Sequence, residues 1–230
     1  MFSKILVICA HPDDDILGCG ATLAKYHEKG AHITVCFLAE GSSCRYTKSE
    51  IASSQAICAI EERKDAAKEA LNLLGVDEFH FYDFPCGRLD TIAMIDLGKC
   101  VEQQIMQTKP DLVLTHSTVD ANYDHRLTSQ AVLQATRPGG VAFVPYVIHF
   151  EILSSTEWRF DESFKPNYFE ALQERHVEKK IQALNCYRSE IKPHPHPRNE
   201  DMLRMMSKVR GSQCNVVYAE AFSLLRGIVQ

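Results

Sequence analysis

A histidine and three carboxylates lie together near the start of the chain, in the run His11-Pro12-Asp13-Asp14-Asp15. An apolar run, residues 5–10, precedes them and a helical pattern follows, so they fall on a strand-to-helix turn. Open α/β proteins bind ligands at this end of their strands. An imidazole nitrogen and a carboxylate oxygen are both good ligands for zinc or a similar divalent ion. The pair His11 and Asp14 therefore predicts half of a metal site.

The other half is predicted by Asp124-His125, which follows a short apolar strand, residues 111–115, and opens a helical pattern. A catalytic zinc typically has three protein ligands, and His125 is the best candidate for the third because its place in the topology matches that of His11. A capped helix start with acids in its first turn is the alternative interpretation of the first motif. Three adjacent carboxylates repel each other, however, and this favours a nearby cation.

Asp13 is the candidate general base. It is not needed as a ligand, and a carboxylate beside the water of a metal site is the arrangement that a general base requires. A helix cap is the alternative role for Asp13. Asp124 is expected to accept a ring proton from His125 or from another residue of the site and so to fix its tautomer. Two roles are left open for Asp15: it caps the helix, or it contacts the metal ligands without binding the metal itself.

The composition excludes several classes of protein. The 230 residues are 45% hydrophobic and 24% charged, which suits one large domain, residues 1–230. The formal net charge of −5 gives no basic footprint for nucleic acid, and no apolar run approaches membrane-spanning length. The first four residues lead directly into the apolar run of the first predicted strand and do not show the pattern of a secretory signal. Nine cysteines without a Cys-x-x-Cys pair indicate reduced thiols, so we expect a cytoplasmic protein.

Alternating apolar runs and helical stretches predict the fold. We expect strands at residues 4–10, 33–38, 79–84, 111–115 and 146–150. Helices are expected at residues 17–28, 49–74, 92–107, 127–136, 169–187 and 201–209, followed by an apolar run at 216–225. This alternation predicts an α/β fold, a Rossmann-like, doubly wound, mostly parallel sheet with helices on both faces.

With these motifs the chain resembles the zinc-dependent N-acetylglucosaminyl deacetylases, also called the PIG-L or LmbE-like family. The family signature is an Ala-His-Pro-Asp-Asp-Glu turn after the first strand, and residues 10–15 match it with Asp15 in place of glutamate. The later Asp-His pair of the family is matched by Asp124-His125. The resemblance implies Asp13 as the base and three ligands for one zinc ion per chain, namely His11, Asp14 and His125.

Two further segments resemble the family with substitutions. Arg63 is similar to the substrate-side arginine of the family, although Ala66 stands where an acid often follows it. Residues 84–91 are similar to a loop that usually begins Pro-Asp. In this chain Cys86 replaces that aspartate, and Asp90 is the substrate-binding candidate of the loop.

Other polar residues are candidates for the substrate side. Pro195 and Pro197 restrict the backbone around His196, which is expected to act as an acid or oxyanion donor, with a solvated surface turn as the alternative. Arg198 is expected to bind a phosphate or carboxylate of a larger substrate, and an exposed arginine is the alternative. Asp120 and Asn122 are expected to contact sugar hydroxyls or to make the Asx turn before the helix. Asn122 stands where many family members have a histidine.

The resemblance implies hydrolysis of an acetamide on an amino sugar, a sugar nucleotide or a glycoconjugate, with release of acetate and a free amine. A metal-dependent amidase for a non-sugar N-acyl compound is one alternative. A non-catalytic module that binds sugar or metal is another, although pure binding would not need Asp13. The expected partner is the small-molecule substrate, with no nucleic acid and no membrane span, and a homo-oligomer is left open.

Overall fold

The computed structural model describes residues 2–140 and 143–229. Its strands are β1 (Lys4–Cys9), β2 (His32–Ala39), β3 (Glu78–Phe84), β4 (Leu112–His116), β5 (Tyr146–Phe150), β6 (Tyr168–Leu172) and β7 (Tyr218–Gly227). Its helices are α1 (Asp14–Glu28), α2 (Ser54–Leu74), α3 (Met94–Thr108), α4 (Tyr123–Ala135), α5 (Glu174–Cys186) and α6 (Glu200–Gln213). Within these two ranges, no helix is long and apolar enough to cross a membrane.

All of these strands form one sheet in the order β3-β2-β1-β4-β5-β7-β6. The first five are parallel to one another, and β7 runs antiparallel between β5 and β6. The predicted α/β class with a mostly parallel, Rossmann-like sheet is therefore confirmed. The winding of the chain reverses between β1 and β4, and the crevice at the carboxyl ends of these two strands is where such folds bind ligands.

Helices cover both faces of the sheet. On one face α1, α2 and α5 share a hydrophobic cluster with alternate residues of β1 such as Ile5 and Val7, and on the other face α3 and α4 share one with Leu6 and Ile8. Burial on both faces explains why the sequence of β1 is uninterruptedly apolar. In α1, a Cβ atom at Gly18 would lie 2.4 Å from the Phe150 ring, so only glycine lets this helix approach β5 so closely.

The prediction of one helix over residues 169–187 is wrong in its first part. Tyr168–Leu172 forms β6, which pairs antiparallel with β7, and α5 begins only after it. The buried Glu170 carboxylate accepts hydrogen bonds from the hydroxyls of Tyr26, at 2.9 Å, and Tyr168, at 2.8 Å. Pairing at the sheet edge brings these groups together, and such tertiary contacts override a local helical pattern.

Several helices begin at other residues than the pattern predicts, including α4, which begins at Tyr123 instead of residue 127. α2 begins at Ser54 instead of residue 49, because the hydroxyl of Ser53 caps it by accepting a hydrogen bond from the Ala56 amide at 3.2 Å. α1 begins at Asp14 instead of residue 17, so that two of the three clustered carboxylates lie in its first turn. The turn that carries the predicted metal ligands is thus part of the helix start.

A buried ion pair holds the middle of α1. Lys180, from α5, and Glu220, from β7, lie 2.6 Å apart and are both buried. The Lys180 ammonium also donates to the carbonyl of Leu17 at 2.8 Å, and the Glu220 carboxylate accepts from the amides of Ala21 at 3.2 Å and Thr22 at 2.7 Å. The pair therefore ties α5 and the antiparallel edge of the sheet to the helix that follows the predicted metal motif.

Candidate active site

The two predicted metal motifs meet at the carboxyl edge of the sheet. The turn after β1 carries His11 and Asp14, and the first turn of α4, which follows β4, carries His125. β1 and β4 are neighbours in the sheet. One potential ligand atom from each of these three buried residues lies within 4.8 Å of the other two. The structure thus brings together the residues that the sequence proposes as metal ligands.

The carboxylate of Asp14 lies at the centre of this cluster. One oxygen is 3.4 Å from Nδ1 of His11, and the other is 3.4 Å from Nε2 of His125. Burial acts to lower the pKa of His125, but the charges of Asp14 and Asp120 outweigh it and raise that pKa to about 10. Burial likewise opposes the rise of the His11 pKa to about 9, which comes from Asp124 and Asp14. The cluster is an environment that favours positive charge.

The donor set fits a divalent metal ion. Two imidazole nitrogens and one carboxylate are the ligands of many catalytic zinc sites. The Oδ1 atom of Asp14, which faces His125, is buried and has no hydrogen-bond partner among the described residues. The ring nitrogens that face away from Asp14 each have a carboxylate acceptor, since Nε2 of His11 lies 3.0 Å from Asp124 and Nδ1 of His125 lies 3.2 Å from Asp120. Such contacts orient ligand histidines and fix their tautomers.

Asp120 takes a role that the sequence does not reveal. Asp124 was expected to serve His125 or another site residue; it faces His11, and the buried Asp120 faces His125. Asp120 also accepts hydrogen bonds from the hydroxyl of Thr156, at 2.6 Å, and from that of Ser155. Its position shortly before His125, on the loop after β4, was the only sequence signal for this contact.

Asp13 is held beside the ligands by two arginines. Its Oδ2 atom lies 2.9 Å from Nη2 of Arg63 and 2.7 Å from Nη1 of Arg198. Its Oδ1 atom is buried and has no hydrogen-bond partner in residues 2–140 and 143–229. Burial raises the pKa of Asp13, and the two guanidinium groups oppose that rise. Asp13 has a φ of 117°, a strained value for a residue other than glycine, of the kind that is found at functional sites.

Arg63 is embedded in the protein. It is buried, its Nε donates to the carbonyl of Pro12 at 2.6 Å, and its other groups contact Asp13 and Glu190. Glu190 also lies 3.2 Å from Arg198, so the two arginines share two carboxylates. Sequence reasoning assigned no function to Glu190, and its contact with the arginines depends on a long-range approach that no local motif encodes.

The remaining predicted site residues lie further from the cluster. Asn122 caps α4 by accepting a hydrogen bond from the Asp124 amide at 2.9 Å. Asp90 is exposed in a short 3-10 turn, Leu89–Thr91. The Nδ1 atom of His196 accepts a hydrogen bond from the Arg198 amide at 3.1 Å, and its ring lies edge-on to Trp158 at 6.1 Å. Among the described contacts, no hydrogen bond or ion pair joins His196 to the cluster.

His116, the last residue of β4, contacts both the ligand candidate His125 and the end of β1. Its Nε2 accepts a hydrogen bond from the Ala10 amide at 2.9 Å, and its ring stacks on that of His125 with a centroid distance of 4.0 Å. Burial and the charge of His125 lower the pKa of His116 to about 4. A neutral ring with an accepting Nε2 therefore fixes the end of β1, where the turn to the ligands begins.

Cys86 adds a thiol to the edge of this cluster. It is buried, and its Sγ atom, a nitrogen of His11 and an oxygen of Asp124 lie within 4.8 Å of one another. Cys44, an exposed residue, is its neighbour. The proximity of Cys86 is the main reason why the pKa of Cys44 falls to about 6, and partial desolvation of the Cys44 thiol opposes the change.

Comparisons with known proteins identify relatives along most of the chain. The sequence profile described as PIG-L, GlcNAc-PI de-N-acetylase, matches residues 6–136. An "uncharacterized deacetylase YaiS" of Escherichia coli (strain K12) is 29% identical over 190 residues, which cover 80% of this chain and 90% of the relative. The diacetylchitobiose deacetylase of Thermococcus kodakarensis is 25% identical over 98% of this chain and 84% of its own.

Solved structures share the fold. The N,N'-diacetylchitobiose deacetylase of Pyrococcus horikoshii has a TM-score of 0.77 at 20% identity, over 98% of this chain and 85% of its own. GalB, the 4-carboxy-2-hydroxymuconate hydratase of Pseudomonas putida KT2440, has a TM-score of 0.76 at 22% identity, over 99% and 98%. The fold alone therefore does not determine the reaction. The family profile spans both metal motifs and more than half of the sequence, and by this match the chain belongs to the PIG-L family of GlcNAc-PI de-N-acetylases.

Proposed function

We propose that this chain is a zinc-dependent deacetylase that hydrolyses the N-acetyl group of an amino sugar, a sugar nucleotide or a glycoconjugate. The relatives named above include deacetylases of N-acetylated sugars. The observation that carries the proposal is the buried, unpartnered Oδ1 of Asp13 beside the three candidate ligands. A module that only binds metal or sugar does not need Asp13, a carboxylate that lies beside the candidate ligands but is not one of them.

His11, Asp14 and His125 would hold the metal ion. When bound at this site, zinc supplies positive charge that polarises an amide carbonyl and lowers the pKa of water. The two carboxylates behind the histidines, Asp120 and Asp124, keep the rings turned toward Asp14. The substrate enters from the carboxyl edge of the sheet, the side on which the loops after β1 and β4 lie.

Asp13 accepts the proton of the attacking water at Oδ1. Its Oδ2 is engaged by Arg63 and Arg198, so the free oxygen is the one that is available to water. Burial strengthens the base by raising its pKa, and the two arginines limit the rise. The same geometry fixes the direction of the carboxylate, because two guanidinium groups on one oxygen leave it little freedom to rotate.

The proton then has to reach the leaving amine. Asp13 can return it directly, since it becomes a carboxylic acid when it takes the proton from water. His196 remains the second candidate, as acid or oxyanion donor. It lies on the loop of Arg198, whose contact with Asp13 ties this loop to the site.

We assign the substrate side to the partly exposed rim of the site. The side chain of Arg198 is 19% exposed, and it suits an anionic group of a larger substrate. Asp90 and Asn122 remain candidates for sugar hydroxyls, and Arg63 acts on the substrate through Asp13. We expect the protein to be cytoplasmic, with free thiols in keeping with a reducing compartment.

Acetate release from a panel of compounds tests this function. The zinc-loaded protein should release acetate from at least one N-acetylated sugar, sugar nucleotide or sugar conjugate, lose this activity after chelation and regain it when zinc is returned. Hydrolysis of N-acyl amino acids alone would instead support the non-sugar amidase. A fully metal-loaded protein that releases no acetate from any of these compounds would contradict the proposal.

A further inference from the structure

Two cysteines from different loops lie side by side at the rim of the metal cluster. Cys44 belongs to a 3-10 turn, Ser43–Arg45, that follows β2, and Cys86 lies in the loop after β3. Each thiol influences the other, since the neighbouring Cys86 lowers the pKa of Cys44 and the neighbouring Cys44 raises the pKa of Cys86. Cys44 is exposed and Cys86 is buried, so the pair connects the surface with the interior.

Hydrogen bonds of Glu40 and Arg88 hold these two loops together. The buried Glu40 carboxylate accepts hydrogen bonds from the amides of Ser42 at 2.7 Å, Ser43 at 3.0 Å and Cys86 at 2.8 Å. Arg88 donates to the carbonyls of both loops, at 3.4 Å to Ser43 and 3.3 Å to Cys86. The approach of the two thiols is therefore set by backbone contacts and does not depend on the side chains of the cysteines.

The residue after Cys86 confirms how close the loops are. Gly87 has a φ of +71°, and a Cβ atom added there would lie 2.9 Å from Cβ of Cys44. A side chain at position 87 would therefore collide with Cys44 as well as strain the backbone. Glycine at this position is what allows Cys44 to reach its neighbour.

The loop of Cys86 is connected to the metal ligands. The amides of Gly87 and Leu89 donate to Asp124 at 2.6 Å and 3.1 Å, and Asp124 lies 3.0 Å from Nε2 of His11. The sulfur of Cys86 also lies beside both of these side chains. A bond that pulls Cys86 toward the surface would therefore disturb the carboxylate that orients His11.

We propose that Cys44 and Cys86 are a dithiol modification site, which low-molecular-weight disulfides close to an intramolecular disulfide and thereby weaken the metal centre. The thiolate of Cys44 attacks one sulfur of the small disulfide, whose S–S bond breaks and releases one thiol. The thiolate of Cys86 then attacks Sγ of Cys44 and displaces the second small thiol. The two protein thiols are oxidised, and the small disulfide is reduced to two thiols.

Exposure assigns the order of these steps. Cys44 is accessible to a small disulfide, whereas Cys86 is buried, so Cys44 is the thiol that meets the reagent first. Cys58, another exposed cysteine, lies in α2, the helix that follows the segment of Cys44. Its thiol donates to Glu62 at 3.4 Å. It is a matched control, because it is also exposed but has no described contact with another thiol.

Treatment of the zinc-loaded protein with glutathione disulfide tests the site. Peptide mass mapping after alkylation of free thiols should find a Cys44–Cys86 crosslink in the native chain and in Cys58→Ser. Cys44→Ser should form no crosslink at either position. Cys86→Ser should stop at a glutathione adduct on Cys44, because the second thiol is missing.

The effect on the metal centre is measured independently of any substrate. Competition with a chelator should show that closing the disulfide weakens zinc binding about tenfold, and dithiothreitol should restore it. Acetate release by an active preparation should fall and recover in parallel. The proposal is overturned if Cys44 and Cys86 stay unlinked while Cys58 reacts, or if the linked protein binds zinc as tightly as the reduced protein. The first measurement stands even if the chain deacetylates none of the compounds tested.

Discussion

At the scale of single residues, a substitution of Asp13 tests whether catalysis can be separated from metal binding. Asp13→Asn keeps the size of the side chain but removes the basic oxygen, so we expect kcat to fall by about 10²–10⁴-fold while zinc content stays near one ion per chain. Acetate release and metal analysis on the same preparation measure both. Asp65→Asn, at an exposed carboxylate of α2, is the control and should change neither. Near-native turnover of Asp13→Asn would remove this residue as the base.

Asp120 tests whether the orientation of His125 matters. Asp120→Asn replaces the carboxylate that faces Nδ1 of His125 at 3.2 Å, and we expect zinc affinity to fall about 10–100-fold. His125→Ala, which removes a ligand, should lose more. Competition with a chelator measures both variants, and Asp96→Asn on the exposed part of α3 serves as the control. Equal zinc affinity of Asp120→Asn and the native chain would contradict the assigned role.

At the scale of elements, the buried pair of Lys180 and Glu220 joins α1, α5 and β7. Lys180→Met leaves the Glu220 carboxylate buried without its counter-ion, so we expect the free energy of unfolding to fall by about 3–5 kcal/mol. Adding Glu220→Leu should recover part of the loss, because no buried charge then remains. Denaturant titration measures the three proteins.

The control for this pair is Lys68→Met, which removes an exposed partner of Asp65 on α2. Exposed pairs of this kind contribute little, so its midpoint should stay close to that of the native chain. If Lys180→Met proves as stable as Lys68→Met, the ion pair does not hold these elements together.

At the scale of the whole molecule, carboxylates that are paired with arginines determine how far the pH can fall before the protein loses stability. Burial acts to raise the pKa of Glu190, but the charges of Arg63, Arg45 and Arg198 prevail and hold that pKa at about 2. An unfolded glutamate has a pKa of about 4.3, so this group stabilises the fold fully above that pH. The contribution is lost as the pH falls from about 4.3 toward 2.

Metal-free protein should therefore lose stability steeply below about pH 4. Glu190→Gln should be less stable than the native chain at pH 6, and the difference should shrink as the pH falls toward 3. Denaturant titrations at several pH values in the presence of a chelator check this. A difference that stays constant over this range would show that the charge of Glu190 does not stabilise the fold.

The sequence by itself predicted which residues meet at the candidate site. A strand-to-helix turn has a fixed geometry, and so the spacing of His11 and Asp14 placed both side chains at one edge of the sheet. The parallel topology then put His125 at the same edge. The alternation of apolar and amphipathic segments was enough to predict the α/β class, because it follows from burial on both faces.

The tertiary structure alone decided which carboxylate serves which histidine, what holds Asp13 and where β6 lies. Asp124 faces His11 and Asp120 faces His125 because the loops after β3 and β5 pack on these side chains. The contacts of Asp13 with Arg63 and Arg198, like the strand at residues 168–172, join segments that are far apart in the chain. Local patterns encode backbone conformation, whereas such pairings depend on packing between distant segments, and only the folded chain settles them.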